Sequence, residues 1–235
     1  MKRVHLSTID DVRRAAVALA TFAVDGDRGR STHDPVHEWI TEGRRAQYER
    51  ALAHGYAWAK AMPAGYSSCG DLAHWMLTML GVRDERVVNR GDDGGVCGWA
   101  VGANLSRLVR SPWYVHASKH GMPALGDVLH VAPSDHVAVH VAPSDHVAVL
   151  LAMPDAAQWI TADYGQPCGL RRVCQLRDVA TGLQVRGRVL RGWVSLDRVY
   201  AARALVAPAI VPGTFDAPLD DNPYDDVTIP KGVDA

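Results

Sequence analysis

A decapeptide occurs twice without a break: His130-Val131-Ala132-Pro133-Ser134-Asp135-His136-Val137-Ala138-Val139 is repeated letter for letter over residues 140–149. Each copy carries a Pro-Ser-Asp turn followed by residues in strict alternation, and side chains alternate across a strand with a period of two. The stretch therefore predicts antiparallel strands with one face of histidine and alanine and the other of valine. Gly126-Asp127-Val128-Leu129 leads into it and Leu150-Leu151 leads out. Small alanines leave room, so the histidine face is expected to take a helix packed closely over it. The valine face is expected to meet a second hydrophobic layer or a partner.

Because the second copy duplicates the first, at most one of His136 and His146 can hold a given role. His136 keeps a short hairpin from the Gly126 strand. His146 keeps continuity with Leu150-Leu151 and with the next strand, residues 159–164. Trp159, Thr161 and Asp163 share one face of that strand, and a turn through Pro154 and Ala157 brings Asp163 opposite or diagonal to His146. A carboxylate there can hold the imidazole tautomer. His146 is therefore the first choice and His136 the alternative.

The second informative stretch is residues 66–81, which read as a helix opened by Ser67 or Ser68 and closed by Gly81 in the left-handed conformation. Cys69, Leu72, Ala73, Met76 and Leu80 follow helical spacing, which puts the sulfur at the top of a buried stripe and leaves Asp71 and His74 on the face away from it, as structural or rim residues. Free amides and the positive end of the helix dipole favour a thiolate at such a position. Thiolate attack on a carbonyl also needs a base, a group that orients the base and donors for the oxyanion. Cys69 N–H is one candidate donor, and the Tyr66 hydroxyl or a neighbouring amide the other.

The remaining chain adds structure rather than chemistry. Thr8 or Ser7 with Asp10 and Asp11 caps a first helix through Val12, Ala15, Ala16, Leu19 and Phe22, and Asp34-Pro35 opens a second that runs to about residue 61. The glycine cluster at residues 91–95 lacks the lysine of a phosphate-binding loop. His116 and His120 stand four apart, as two ligands on one helix face would, but without the glutamate of H-E-x-x-H. No metal or other cofactor is expected. Residues 170–173, 183–185 and 189–196 read as strands that complete an antiparallel sheet, and residues 197–205 as a closing helix. From Ala207 onward five prolines fall among aspartates, which predicts an extended tail. The expected division is a helical region at 1–62 packing on the core, a catalytic domain at 63–205 and a tail at 206–235.

With 235 residues, 48% of them hydrophobic, and a net charge of −1, the chain can bury a full core and has no general attraction for nucleic acid or anionic lipid. Asp10, Asp11, Arg13 and Arg14 interrupt the first apolar stretch, so neither a signal peptide nor a membrane span is expected. A cytoplasmic location follows, with export left to a dedicated secretion system. Four cysteines are too few for a disulfide scaffold, although Cys168 and Cys174 bracket residues 169–173 and can be joined as a hairpin disulfide after export. Unpaired thiols are the simpler expectation.

A cysteine opening a helix, then Pro123-x-x-Gly126-Asp127-Val128-Leu129, then His146-Val147-Ala148-Val149-Leu150-Leu151, then a strand bearing a polar residue, resembles the NlpC/P60 and CHAP branches of the papain-like cysteine peptidases and amidases. The resemblance covers residues 66–165. It implies an α+β, papain-like domain with the cysteine helix packed on an antiparallel sheet, here with extra N-terminal helices. It further implies Cys69 as nucleophile, His146 (or His136) as base and acid, and Asp163 as orienting group, with a peptide or amide substrate; many members cut peptidoglycan stem peptides. Ser68-Cys69-Gly70-Asp71 stands where the family has Asp-Cys-Ser-Gly. Acyl transfer is the enzymatic alternative, because the same thioester can pass to an amine. A non-catalytic module whose histidines bind metal is the alternative from another class.

Overall fold

The computed structural model describes residues 1–25, 69–82, 111–117, 121–133, 146–155, 158–163, 170–179, 182–185, 188–205 and 207–216. Its elements in chain order are β1 (Lys2–Val4), α1 (Ile9–Asp25), α2 (Cys69–Met79), β2 (Tyr114–His116), β3 (Val128–Pro133), β4 (His146–Asp155), β5 (Gln158–Asp163), β6 (Leu170–Val179), β7 (Gly182–Val185), β8 (Arg188–Val194), α3 (Leu196–Ala201), β9 (Ala209–Val211) and a 3-10 turn, Gly213–Asp216. Every strand pairing among the described residues is antiparallel. The chain is thus α+β. None of its described helices is long and apolar enough to cross a membrane.

Local chemistry accounts for the helix ends. Thr8 Oγ1 accepts the Asp11 amide at 3.1 Å while the Asp11 carboxylate accepts the Thr8 amide at 3.0 Å, a reciprocal cap for α1. Gly81 stops α2 at φ +90°, with its amide donating to Thr78 O and the Val82 amide to Leu77 O. A Cβ at Gly81 would stand 2.2 Å from Ala207 O, so glycine is required twice over.

Strands run in the order β2-β8-β3-β4-β5-β6-β7, and β7 pairs back onto β8, closing β3 to β8 into a six-stranded ring. The ring has two faces. Its outer face lies under α1, α2 and α3, where Val128, Val147, Val149, Leu151, Ile160, Ala162 and Val194 join Leu19, Leu72, Met76 and Leu196 in the main core. Its inner face holds a second cluster of Leu129, Val131, Leu150, Trp159, Leu190 and Trp193. Burying each such aliphatic side chain is worth about 1.5–3 kcal/mol, so both clusters hold the ring closed.

Three sequence expectations are corrected or narrowed here. The helix bearing Cys69 lies over the valine face of β4, not over the face of histidine and alanine: valine burial outweighs the closer approach that alanine would allow. His74 is buried, a structural rather than a rim residue, because the face of α2 away from the predicted stripe is covered too, with Trp75 and Leu77 buried there. Phe22 is exposed, while Ala20, Ala23 and Val24 take the inner side of α1.

Two boundaries also move. The sequence predicts an extended tail over 206–235, yet β9 pairs with β1 and buries Ala209 and Val211 in the main core, where the apolar Ala-Ile-Val run outweighs the flanking prolines; residues 217–235 lie outside the described residues. The strand expected over 170–173 runs on as β6 from Leu170 to Val179, and Cys174 within it is in register with Trp159. Cys168 lies outside the described residues, as do the second helix predicted from Asp34, the glycine cluster and His120. His116 ends a strand, not a helix.

Candidate active site

Gly126 and Asp127 build the turn that aims β3. Gly126 has φ +84°, and a Cβ there would come within 2.9 Å of both Ala16 Cβ and Leu196 Cδ1, so α1 and α3 close over a backbone that only glycine permits. Asp127 is buried. Its Oδ2 accepts the Ala124 amide at 2.9 Å, and its Oδ1 accepts the Leu196 amide at 2.9 Å and Arg13 Nη1 at 3.2 Å. Because Ser195 makes no side-chain cap, Asp127 supplies the cap of α3 from the turn before β3. Burial pushes its carboxyl up to about 6, against the amides and the Arg13 guanidinium, which favour the ion.

From that turn β3 runs beside β4 with Val131 opposite His146 and His130 opposite Val147. The two histidines therefore emerge on opposite faces. His130 is buried on the outer face, where its Nδ1 shares a 2.8 Å hydrogen bond with the Tyr114 hydroxyl. Tyr114 lies over Gly192, where a Cβ would come within 2.5 Å of the phenol oxygen. His116 meets the Tyr114 ring edge-on at 4.9 Å.

His146 is on the inner face at the first residue of β4, with its side chain 24% exposed. The pair Ala148 and Asp163 sets the β4–β5 register, so Asp163 is diagonal to His146 on the same face. His146 Nε2 and Asp163 Oδ1 are 2.6 Å apart. A carboxylate can only accept, which puts the ring proton on Nε2 and makes Nδ1 the basic nitrogen. Asp163 is itself buried, and Thr161 Oγ1 donates to its Oδ2 at 2.5 Å.

Of the residues singled out by sequence, His146 and Asp163 are thus brought together. Cys69 is the first residue of α2, and α2 packs on β4. Tyr66 and His136 lie outside the described residues. Thr161 was not among the candidates, although the alternation that placed Asp163 placed Thr161 on the same face. The Tyr114–His130 pair was missed altogether; tyrosine and histidine sixteen residues apart carry no local signal.

The arrangement on the inner face can take up and return a proton at Nδ1, with the charge on the ring balanced by Asp163. Among the described residues no three His, Cys, Asp or Glu side chains converge as a metal site would require. Comparison of the chain with family models, with curated proteins and with solved structures gives no match.

Proposed function

We propose that this protein is a cysteine hydrolase of amide bonds, with Cys69 as nucleophile, His146 as general base and acid, and Asp163 as the group that orients His146, in a domain of the papain-like, NlpC/P60 or CHAP type. The observation that carries the reading is the 2.6 Å bond between His146 Nε2 and a buried Asp163 carboxylate. A histidine held in that way is a base with its tautomer already chosen. The start of α2 at Cys69 supplies the other half, since unpaired amides of a first helical turn favour a thiolate and can bind an oxyanion.

In this reading the Cys69 thiol gives its proton to His146 Nδ1 and the sulfur attacks the carbonyl carbon. Collapse of the tetrahedral adduct breaks the C–N bond as His146 returns the proton to the leaving amine. Water, deprotonated by His146, then cleaves the thioester and releases the acid. Peptides are the substrate class, with peptidoglycan stem peptides the first to try.

One observation weighs against the reading: α2 covers the valine face of β4, whereas His146 projects from the other. The nucleophile and base must therefore meet at the strand's first residue, around the end of the sheet. Mass spectrometry after mild iodoacetamide tests this directly. Cys69 should be alkylated below pH 7 ahead of the other three thiols, and His146→Ala should remove that preference. Equal labelling of every accessible thiol, or a preference that survives His146→Ala, would separate Cys69 from the histidine and end the proposal.

A further inference from the structure

The geometry points to Thr161 as a positioning residue that fixes the tautomer of His146 by holding the Asp163 carboxylate; the inference rests on the reading of His146 as the base. The torsion of an aspartate carboxylate about its last bond is broad and nearly two-fold, so one hydrogen bond to a ring nitrogen does not fix its plane. Both oxygens of Asp163 are engaged: Oδ1 with His146 Nε2 at 2.6 Å, and Oδ2 accepting from Thr161 Oγ1 at 2.5 Å. Thr161 suits the task for three physical reasons. It lies two residues before Asp163 on one strand, so both side chains leave the same face. Its β-branched side chain is stiff at χ1, so the hydroxyl is aimed by the backbone. It is buried with Asp163, so the carboxylate competes little with water for that hydroxyl.

The consequence is chemical as well as geometric. A hydroxyl that donates to Oδ2 favours the ionised carboxylate, and an ionised carboxylate can only accept from the imidazole. Nε2 must then carry the ring proton, and Nδ1 must be the nitrogen that exchanges protons with thiol and amine. Loss of the hydroxyl removes one hydrogen bond that favours the ion and fixes the carboxylate plane, so the carboxylate turns and takes up a proton more readily, and a protonated Asp163 can donate to Nε2 and move the ring proton to Nδ1. The ring would then be in the form that cannot act as a base at Nδ1.

Nitrogen NMR of the His146 ring, in full-length Cys69→Ala protein so that no thiol chemistry intervenes, reads the tautomer without any assay of turnover. With Thr161 present the neutral ring should be wholly the Nε2–H form; Thr161→Val should give a mixture, and Thr161→Ser should restore the single form. Thr161→Ala is the second hydroxyl-less variant if the valine chain does not fold. With Cys69 intact, Thr161→Val should lower kcat about tenfold to a hundredfold at unchanged KM and flatten the alkaline side of the pH profile, and Thr161→Ser should recover most of it. A single Nε2–H form in a folded hydroxyl-less variant overturns the inference. A scrambled tautomer in a protein whose turnover is indifferent to Cys69→Ala upholds the role of Thr161 and overturns the hydrolase reading instead.

Discussion

His130 and His146 each open the tripeptide His-Val-Ala and lie on neighbouring strands, yet they have become different groups. His130 faces the helices, buried, with Tyr114 as its partner; His146 faces into the ring at its end, partly open to solvent, with Asp163 as its partner. Antiparallel pairing of Val131 with His146 sets a histidine opposite a valine at both positions, so one copy of the motif is turned over relative to the other. Identical local sequence thus meets a phenol on one face and a buried carboxylate on the other, and the neighbours decide which; in the proposed reading only the second serves proton chemistry.

The largest effect should come from breaking that symmetry. His146→Ala should cost turnover about 10²–10⁴-fold with little loss of thermal stability. His130→Ala should do the reverse, lowering stability by about 1–3 kcal/mol, since the buried hydrogen bond to the Tyr114 hydroxyl is lost, while turnover per folded molecule is kept. Parallel melting curves and rates on the two variants decide it; if both lose activity alike, the division between the faces is wrong.

Next in size is Asp163→Asn, which should lower turnover about a hundredfold or more in a folded protein, because the amide can hold the wrong tautomer of His146. Near-normal turnover would make Asp163 a structural residue like Tyr114, and the inner face would lose its distinction.

A smaller effect belongs to the frame on the outer side. Asp127 is protonated more readily in the fold, at about 6, than at its ordinary 3.8, so its contribution to stability is full below pH 4 and is lost as pH rises through 6. That loss is at most ~3 kcal/mol. Chemical denaturation of wild type against Asp127→Asn, whose side chain does not titrate, should show the difference shrinking between pH 4 and 6 and constant above. A difference that grows with pH would mean that Arg13 and the two amides outweigh burial.

The smallest change should follow removal of one repeat, residues 140–149. Val131 and the histidine opposite it would then be separated by four residues, a common hairpin length. Shortening the connection should stabilise the chain by about 1 kcal/mol, with the bond to Asp163 retained. An insoluble product, or a histidine that no longer titrates with Asp163, would show that the second copy is structural.

The repeat also shows where sequence reasoning reaches its limit. If β4 were drawn from the first copy, His140 would fall where Leu150 is buried inside the ring, and if β3 were drawn from the second, His136 and Val137 would replace Gly126 and Asp127. Residues outside the repeat therefore select the register, and they are visible in the sequence.

What the amino-acid order determined by itself is local: a cap at Ser7 or Thr8, the stop at Gly81, the period-two strands and the nearness of Asp163 to His146, opposite or diagonal, through a short turn. All of these rest on residues within about twenty positions of each other. The tertiary structure decided which face of β4 receives α2, that His130 meets Tyr114 across Gly192, that Asp127 caps α3, and that Ala209 and Val211 belong to the core. The reason is physical: alternation tells which side chains share a face, but which face is covered depends on the apolar area that distant segments bring to it, and that sum exists only once the chain has folded.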